Sequence, residues 1–317
     1  MMRKSYLVIC AVTLLFIAGC TSATNKQEAK GRSFVGGTDG LDFLFAKGSP
    51  PDRVLDSGQE EFDIALLITN LGEFTVPRGR LIATLSGIAA QDFNIGSLTK
   101  VSDFALAGKG IDRELTIEGD TEEILFERAK YQPDLPADFF VTIRADICYD
   151  YQTRAVGSLC LKRNPRERSV SQDICDVDAE EVVIENSGAP LQIELLRQRP
   201  SSSNIIKVSF DVVNKNNGVP YNQGTFNAEC SGNDAQKDKV RVRLDSPGNR
   251  LNIRCSRFDD RAEGVINLIA GRKQVTCDID TTNLQNIAFQ HPLIISVDYM
   301  YREAITTANS IVIEDAG

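Results

Sequence analysis

Three observations predict an all-β chain. Short apolar runs with strand-like composition recur along its length, turn residues separate them, and no long segment sustains helical spacing. The strand candidates, in order, are residues 64–69, 80–85, 114–117, 139–147, 191–196, 206–213, 239–244, 251–255, 273–279 and 293–299. Asn70-Leu71-Gly72, Asn216-Asn217-Gly218 and Ser246-Pro247-Gly248 supply the turn chemistry between several of them.

The chain opens differently. Arg3 and Lys4 precede a short apolar run from Leu7 to Ile17, followed by Ala18, Gly19 and Cys20. The run is too short to span a bilayer comfortably, so residues 1–19 read as a cleaved signal peptide. Small residues directly before a cysteine form a lipobox, which makes Cys20 the expected site of acyl attachment. Residues 20–40, rich in Thr, Ser, Lys, Gln, Glu and Gly, read as a lipid-anchored flexible tether.

Composition narrows the partners. Residues 1–19 hold Arg3 and Lys4 and no acid, so the mature body keeps 33 basic and 44 acidic residues, a formal charge of −11. Such a body repels phosphate backbones, which argues against nucleic acid. The expected address is the membrane or cell surface, met through a lipid anchor.

Six cysteines remain after Cys10 in the signal and Cys20 at the lipobox: Cys148, Cys160, Cys175, Cys230, Cys255 and Cys277. An even number in an exported chain suggests disulfides. Short loops favour Cys160 with Cys175 and Cys255 with Cys277, which leaves Cys148 and Cys230 free to join the two halves. No C-x-x-C pair occurs and the single histidine, His291, is remote from any ligand spacing, so no metal site is expected.

A diffuse internal repeat divides the body. In the first half an apolar strand runs into Asn70 and Gly72, and in the second Val208–Val213 runs into Asn214 and Gly218. Downstream, Tyr149-Asp150-Tyr151 in the first half answers to Tyr299-Met300-Tyr301 in the second. Each Tyr-x-Tyr is followed by a stretch able to return as a final strand, residues 155–161 and 310–314. The layout predicts two tandem immunoglobulin-like β-sandwich domains, 41–175 and 188–317, with 176–187 as the linker.

The run Cys148-Tyr149-Asp150-Tyr151-Gln152-Thr153, then Cys160, Cys175 and Gly188-Ala189-Pro190, resembles a family of uncharacterised exported proteins of small-genome archaea. Gly37-Thr38-Asp39-Gly40-Leu41 and Pro50-Pro51 resemble the start of that family's folded region. The resemblance spans most of residues 36–315 and implies membrane-anchored, Ig-like double modules. It implies no activity and no catalytic or binding residues.

Little in the chain points to chemistry. His291 has no partner nucleophile in any familiar motif, and G-x-S-x-G, H-E-x-x-H and P-loop patterns are absent. Asp259, Asp260, Asp278 and Asp280, like Glu122 and Glu123, fit solvated faces better than a calcium loop. Lys162, Arg163, Arg166 and Arg168 form a local basic run on an acidic body, a candidate patch for an anionic partner. The four tyrosines of the two Tyr-x-Tyr runs fit structural packing, one of each resembling a tyrosine corner.

No cofactor and no catalytic residue is expected. The reading is a lipid-anchored surface protein that displays two modules to a protein or glycan partner. The alternatives are a subunit of a surface filament or envelope assembly and a surface hydrolase or metal-dependent enzyme.

Overall fold

A computed structural model describes residues 32–316 of this chain, except 114, 169, 171–172, 179–180, 224–233, 250 and 260. The expected signal segment, Cys20 and residues 21–31 therefore lie outside the described residues. Ser33 to Gly317 form one compact unit.

The described residues are built from strands. The first half holds β1 (Leu41–Phe45), β2 (Arg53–Leu55), β3 (Phe62–Asn70), β4 (Leu81–Ser86) and β5 (Thr99–Val101). It continues through β6 (Gly110–Asp112), β7 (Leu115–Ile117), β8 (Thr121–Ala129), β9 (Phe139–Val141) and β10 (Arg144–Leu161). Next come β11 (Ile184–Asn186), β12 (Leu191–Ser202), β13 (Ile205–Asn214), β14 (Val219–Asn222) and β15 (Lys239–Asp245). The chain ends with β16 (Asn252–Cys255), β17 (Glu263–Asn267), β18 (Arg272–Asp280), β19 (Phe289–Thr306) and β20 (Ile311–Glu314). Among the described residues the only helical segments are two single 3₁₀ turns.

The central sheet runs β17-β15-β19-β10-β4-β5, with β11 also on β10 and β14 also on β19. Its axis is the antiparallel pair β10 and β19, in register over all 18 residues from Arg144↔Thr306 to Leu161↔Phe289. A β1-β3-β8 sheet belongs to the first half and a β12-β13-β18-β16 sheet to the second. One hydrophobic core, with Ile64, Leu66 and Phe126 on one side and Val208, Phe210 and Val275 on the other, continues through Ala145, Ile147, Leu293 and Ile295 of the axis. The opposite face of the axis carries a small cluster of Ile82, Cys148, Tyr221 and Met300.

Local sequence explains the two long strands. Both faces of β10 are covered near its middle, so alternation does not have to leave one side polar, and Gly157, the one glycine in 151–161, continues the strand where Leu196 packs so close that a Cβ would lie 2.3 Å from it. Residues 155–161, expected to return as a separate strand, instead prolong β10 and carry β11. Residues 311–314 do form a strand of their own, between β2 and β9. Pro292 is tolerated in β19 because β15 covers only residues 294–298 there, leaving its missing donor outside that ladder.

The boundaries around the body differ from the expected ones. Residues 33–40 belong to the body rather than to a tether. Ser33 N–H donates to Glu185, while the Val35 and Gly36 N–H groups donate to the two oxygens of Glu73 at 2.9 and 3.0 Å. The expected linker, 176–187, buries Val177 and Val182 in the core and adds β11 to the central sheet. Apolar side chains at those positions explain why: extending a loose segment over water would expose them.

Candidate functional site: the tyrosine quartet and the cleft beside it

Strand periodicity places Tyr149 and Tyr151 on one face of β10, and the register sets them opposite Tyr301 and Tyr299. The four rings form a closed, buried quartet. Neighbouring centroids are 5.6 Å apart for Tyr149–Tyr151, 5.9 Å for Tyr149–Tyr301, 6.3 Å for Tyr151–Tyr299 and 5.9 Å for Tyr299–Tyr301. Three of these pairs meet edge-on or nearly so, the geometry that aligns positive ring edges with negative faces. Phe43 and Phe74 pack on the quartet from the first half.

Each hydroxyl has a defined partner, and the partners repeat. Tyr151 donates to Asn70 Oδ1 at 3.0 Å and Tyr301 donates to Asn214 Oδ1 at 2.9 Å. Asn70 Nδ2 donates to the Phe74 carbonyl, and Asn214 Nδ2 to the Gly218 carbonyl. Both asparagine Oδ1 atoms also accept a backbone N–H two residues on, from Gly72 and Asn216. The Leu41 N–H reaches Tyr149 and the Leu191 N–H reaches Tyr299, in each case 108 residues apart. Glycine is required beside the rings. A Cβ on Gly72 would lie 2.1 Å from the Tyr151 hydroxyl, and one on Gly218 would lie 2.3 Å from the Tyr301 ring. Burial drives all four phenols above their usual range, so they stay protonated and act as donors.

The repeat breaks at one pair of positions. Two residues beyond Tyr151 stands Thr153, which donates to the Leu191 carbonyl at 2.8 Å and so is left to accept from Tyr299 at 3.1 Å. Two residues beyond Tyr301 stands Glu303, which accepts from Tyr149 at 3.0 Å. A neutral hydroxyl in one half thus corresponds to a carboxyl in the other. Burial, opposed by the Tyr149 hydrogen bond and aided by the charges of Asp42 and Asp39, pushes Glu303 up to about 7.

Glu303 lines an open cleft of about 830 Å³ together with Asp39, Asp42, Asn216, Asn217 and Tyr221. The same cleft presents an ion network. Arg144 reaches both oxygens of Asp146, at 3.0 and 2.9 Å, and Arg302 reaches Asp146 Oδ1 at 2.9 Å. The hydrogen bond from Arg144 holds the Asp146 carboxyl below its usual range, against the opposing effect of burial. On the same sheet face Asp150 pairs with Arg80, yet burial still pushes it upward. The cleft offers guanidinium donors, amide groups and carboxylate acceptors: an arrangement for binding polar groups.

Other candidate residues fall elsewhere. Cys160 and Cys175 are joined across the 162–174 loop, and Cys255 and Cys277 are joined directly opposite each other on β16 and β18. Cys148 is also in a disulfide, while Cys230 and Cys20 lie outside the described residues. The basic run is not one patch. Lys162 is only 2% exposed and pairs with the equally buried Asp173 at 3.1 Å, because the loop closed by Cys160–Cys175 folds over it. Arg163 donates to the Leu284 carbonyl and Arg166 to the Ser201 carbonyl, while Arg168 is exposed.

His291 lies in β19, its ring 6.2 Å from Phe289. Asp278 pairs with Lys207 and Asp280 accepts from Thr282, whose two hydrogen bonds lower its carboxyl. Asp259 sits in a turn and Asp260 lies outside the described residues. Among the described residues no group of three or more His, Cys, Asp or Glu side chains is placed to hold a metal ion.

Two residues that matter here carried no signal in the sequence. Glu73 reads as a loop acid, and Glu303 as a charge near the end of a strand. Only the register of β10 against β19 and the path of residues 35–42 reveal them.

No protein-family model matches the chain, and no curated protein matches it. Among solved structures, envelope protein VP37 of White Spot Syndrome Virus aligns with 49% of this chain and 98% of its own, at 10% identity and a TM-score of 0.21. At that score the likeness carries no argument about fold or function.

Proposed function

We propose that this protein is a lipid-anchored display module: Cys20 carries the acyl chains, and two immunoglobulin-like halves are presented as a single stiff body to a protein or glycan partner. The observation that carries the reading is the shared β10–β19 axis with its doubled Asn–Tyr clamp. Two sandwiches joined by a linker would swing independently, whereas two halves with one sheet and one core move together. The disulfides at Cys160–Cys175 and Cys255–Cys277 suit an exported chain. The contact surface proposed is the cleft beside Glu303, where Arg144, Asp146 and Arg302 meet Asn216 and Asn217. Alternating donors and acceptors of this kind match the hydroxyls of a glycan or the backbone of a peptide loop.

A second reading, a subunit of a surface or envelope assembly, has its own observation. The central sheet ends in β5 and β17, each with a neighbour on one side only among the described residues. Fractionation and acyl labelling of wild type against Cys20→Ser test the anchor, with loss of label and release from the membrane expected for the variant. Label retained in Cys20→Ser would refute it. Crosslinking on intact cells then separates the readings: a distinct partner supports display, and a ladder of this chain alone supports assembly.

A further inference from the structure

Among the described residues, the hairpin formed by β6 and β7 pairs with no other strand. Beside Asp112 and Thr116 it exposes three large apolar side chains: Leu115 is 73% exposed, Ile117 is 53% exposed and Ile111 is exposed as well. Leu115 and Ile117 share one face of the ribbon with Asp112, and Ile111 lies on the other with Thr116. A two-stranded hairpin with no packed face gains little from folding in water, so an apolar one implies a partner.

Its position indicates which partner. At its base, Lys109 pairs with Glu118 at 3.1 Å, and the Lys109 N–H donates to the Gly72 carbonyl at 2.7 Å. Gly108 sits directly on Glu73, where a Cβ would meet the Glu73 carbonyl carbon at 2.5 Å. Glu73 is also the residue that holds Val35 and Gly36. The hairpin therefore rises beside the place where the N-terminal segment joins the body. Cys20 to Arg32 is 13 residues, a reach of at most about 45 Å fully extended and roughly 20 Å as a random coil.

We propose that the β6–β7 hairpin is a second membrane contact, seating Leu115 and Ile117 in the interface of the bilayer that holds the acyl chains of Cys20. This rests on the anchored reading above. The contact is apolar rather than electrostatic, because residues 109–118 hold two basic and three acidic residues. A zwitterionic surface is thus sufficient. Insertion is shallow, since the outer backbone groups of both strands still need water. Held at two points, the body takes a fixed tilt on the membrane instead of swinging about one anchor.

The chain has no tryptophan, so Leu115→Trp gives a single indole that can be excited selectively over the tyrosines. On phosphatidylcholine vesicles, the Cys20-acylated protein with this substitution is expected to show blue-shifted emission that brominated acyl chains quench. Ile174→Trp, a 71% exposed position in the disulfide loop beyond the far end of β10, is expected to keep its buffer spectrum. Vesicle-bound protein whose emission at position 115 stays as in buffer overturns the hairpin contact and leaves the anchor standing. If Cys20 proves not to be acylated, the unmodified Leu115→Trp chain is titrated with the same vesicles. A blue shift whose apparent affinity falls about tenfold or more on adding Ile117→Asp supports the contact. No shift at any lipid concentration overturns it.

Discussion

The two halves of the body share one hydrogen-bonding plan around the tyrosine quartet, and two of their departures from it bear on function. Asn70 and Asn214, Tyr151 and Tyr301, Leu41 and Leu191 occupy matching positions with matching hydrogen bonds. These are Glu303 where the first half has Thr153, and the β6–β7 hairpin where the second half has a tight turn at residues 269–272. The turn and the hairpin each lead into the strand that carries the edge of the Asn clamp. The Asn214 N–H donates to the Gly271 carbonyl and the Asn70 N–H to the Asp120 carbonyl. The shared plan accounts for stability. The departures lie at the cleft and at the tether, where the proposed functions lie.

The largest expected effect breaks the shared plan. Tyr151→Ala and Tyr299→Ala each empty a fully buried ring site and should each cost about 3–5 kcal/mol by chemical denaturation. Similar losses from the two halves would confirm that they contribute alike to one quartet; a loss confined to one half would show that the plan is only geometric.

The next effect tests the first departure. Glu303 is raised from 4.5 to about 7 in the folded protein, so folding favours its protonated form. Its contribution is fully present below pH about 4.5 and is lost as pH rises through about 7, a difference of about 3 kcal/mol. Wild type should therefore lose stability between pH 5 and pH 8 relative to Glu303→Gln, and Glu303→Thr, which restores the residue type of the first half, should flatten the same slope. An unchanged slope in both variants would remove Glu303 as its source.

A smaller effect concerns the clamps. Asn70→Ala and Asn214→Ala each leave a phenol hydroxyl and a backbone N–H without their acceptor, at about 1–3 kcal/mol. Asn70→Ala should be the costlier, because Asn70 also donates to the Leu106 carbonyl and is fully buried. The smallest effect is at the surface: Arg241→Ala breaks a half-exposed pair with Glu263 and should change stability by under about 1 kcal/mol.

Where burial follows strand periodicity the sequence was readable. Residues 206–213 and 273–279 lie within β13 and β18, whose inward side chains alternate with outward ones. β8 was not readable, because a strand at the edge of a small sheet buries only Ile124, Phe126 and Ala129 and spends its other positions on charge. The Asn and Tyr residues of the repeat were visible as a pattern, but the pairing of β10 with β19 was not. That pairing joins residues 128 to 162 positions apart, and strand composition does not name a partner. Lys162 misled for a related reason. A charge run reads as a solvated loop until Asp173 supplies a buried partner from across the disulfide.

The central claim is that the two halves unfold and move as one body, which is what the proposed anchor would present. Calorimetric unfolding of wild type and Tyr151→Ala tests it most directly. The account predicts a single transition whose calorimetric and van't Hoff enthalpies agree, shifted as a whole to lower temperature in the variant. Two transitions, with only the one belonging to the first half moved by Tyr151→Ala, would contradict it.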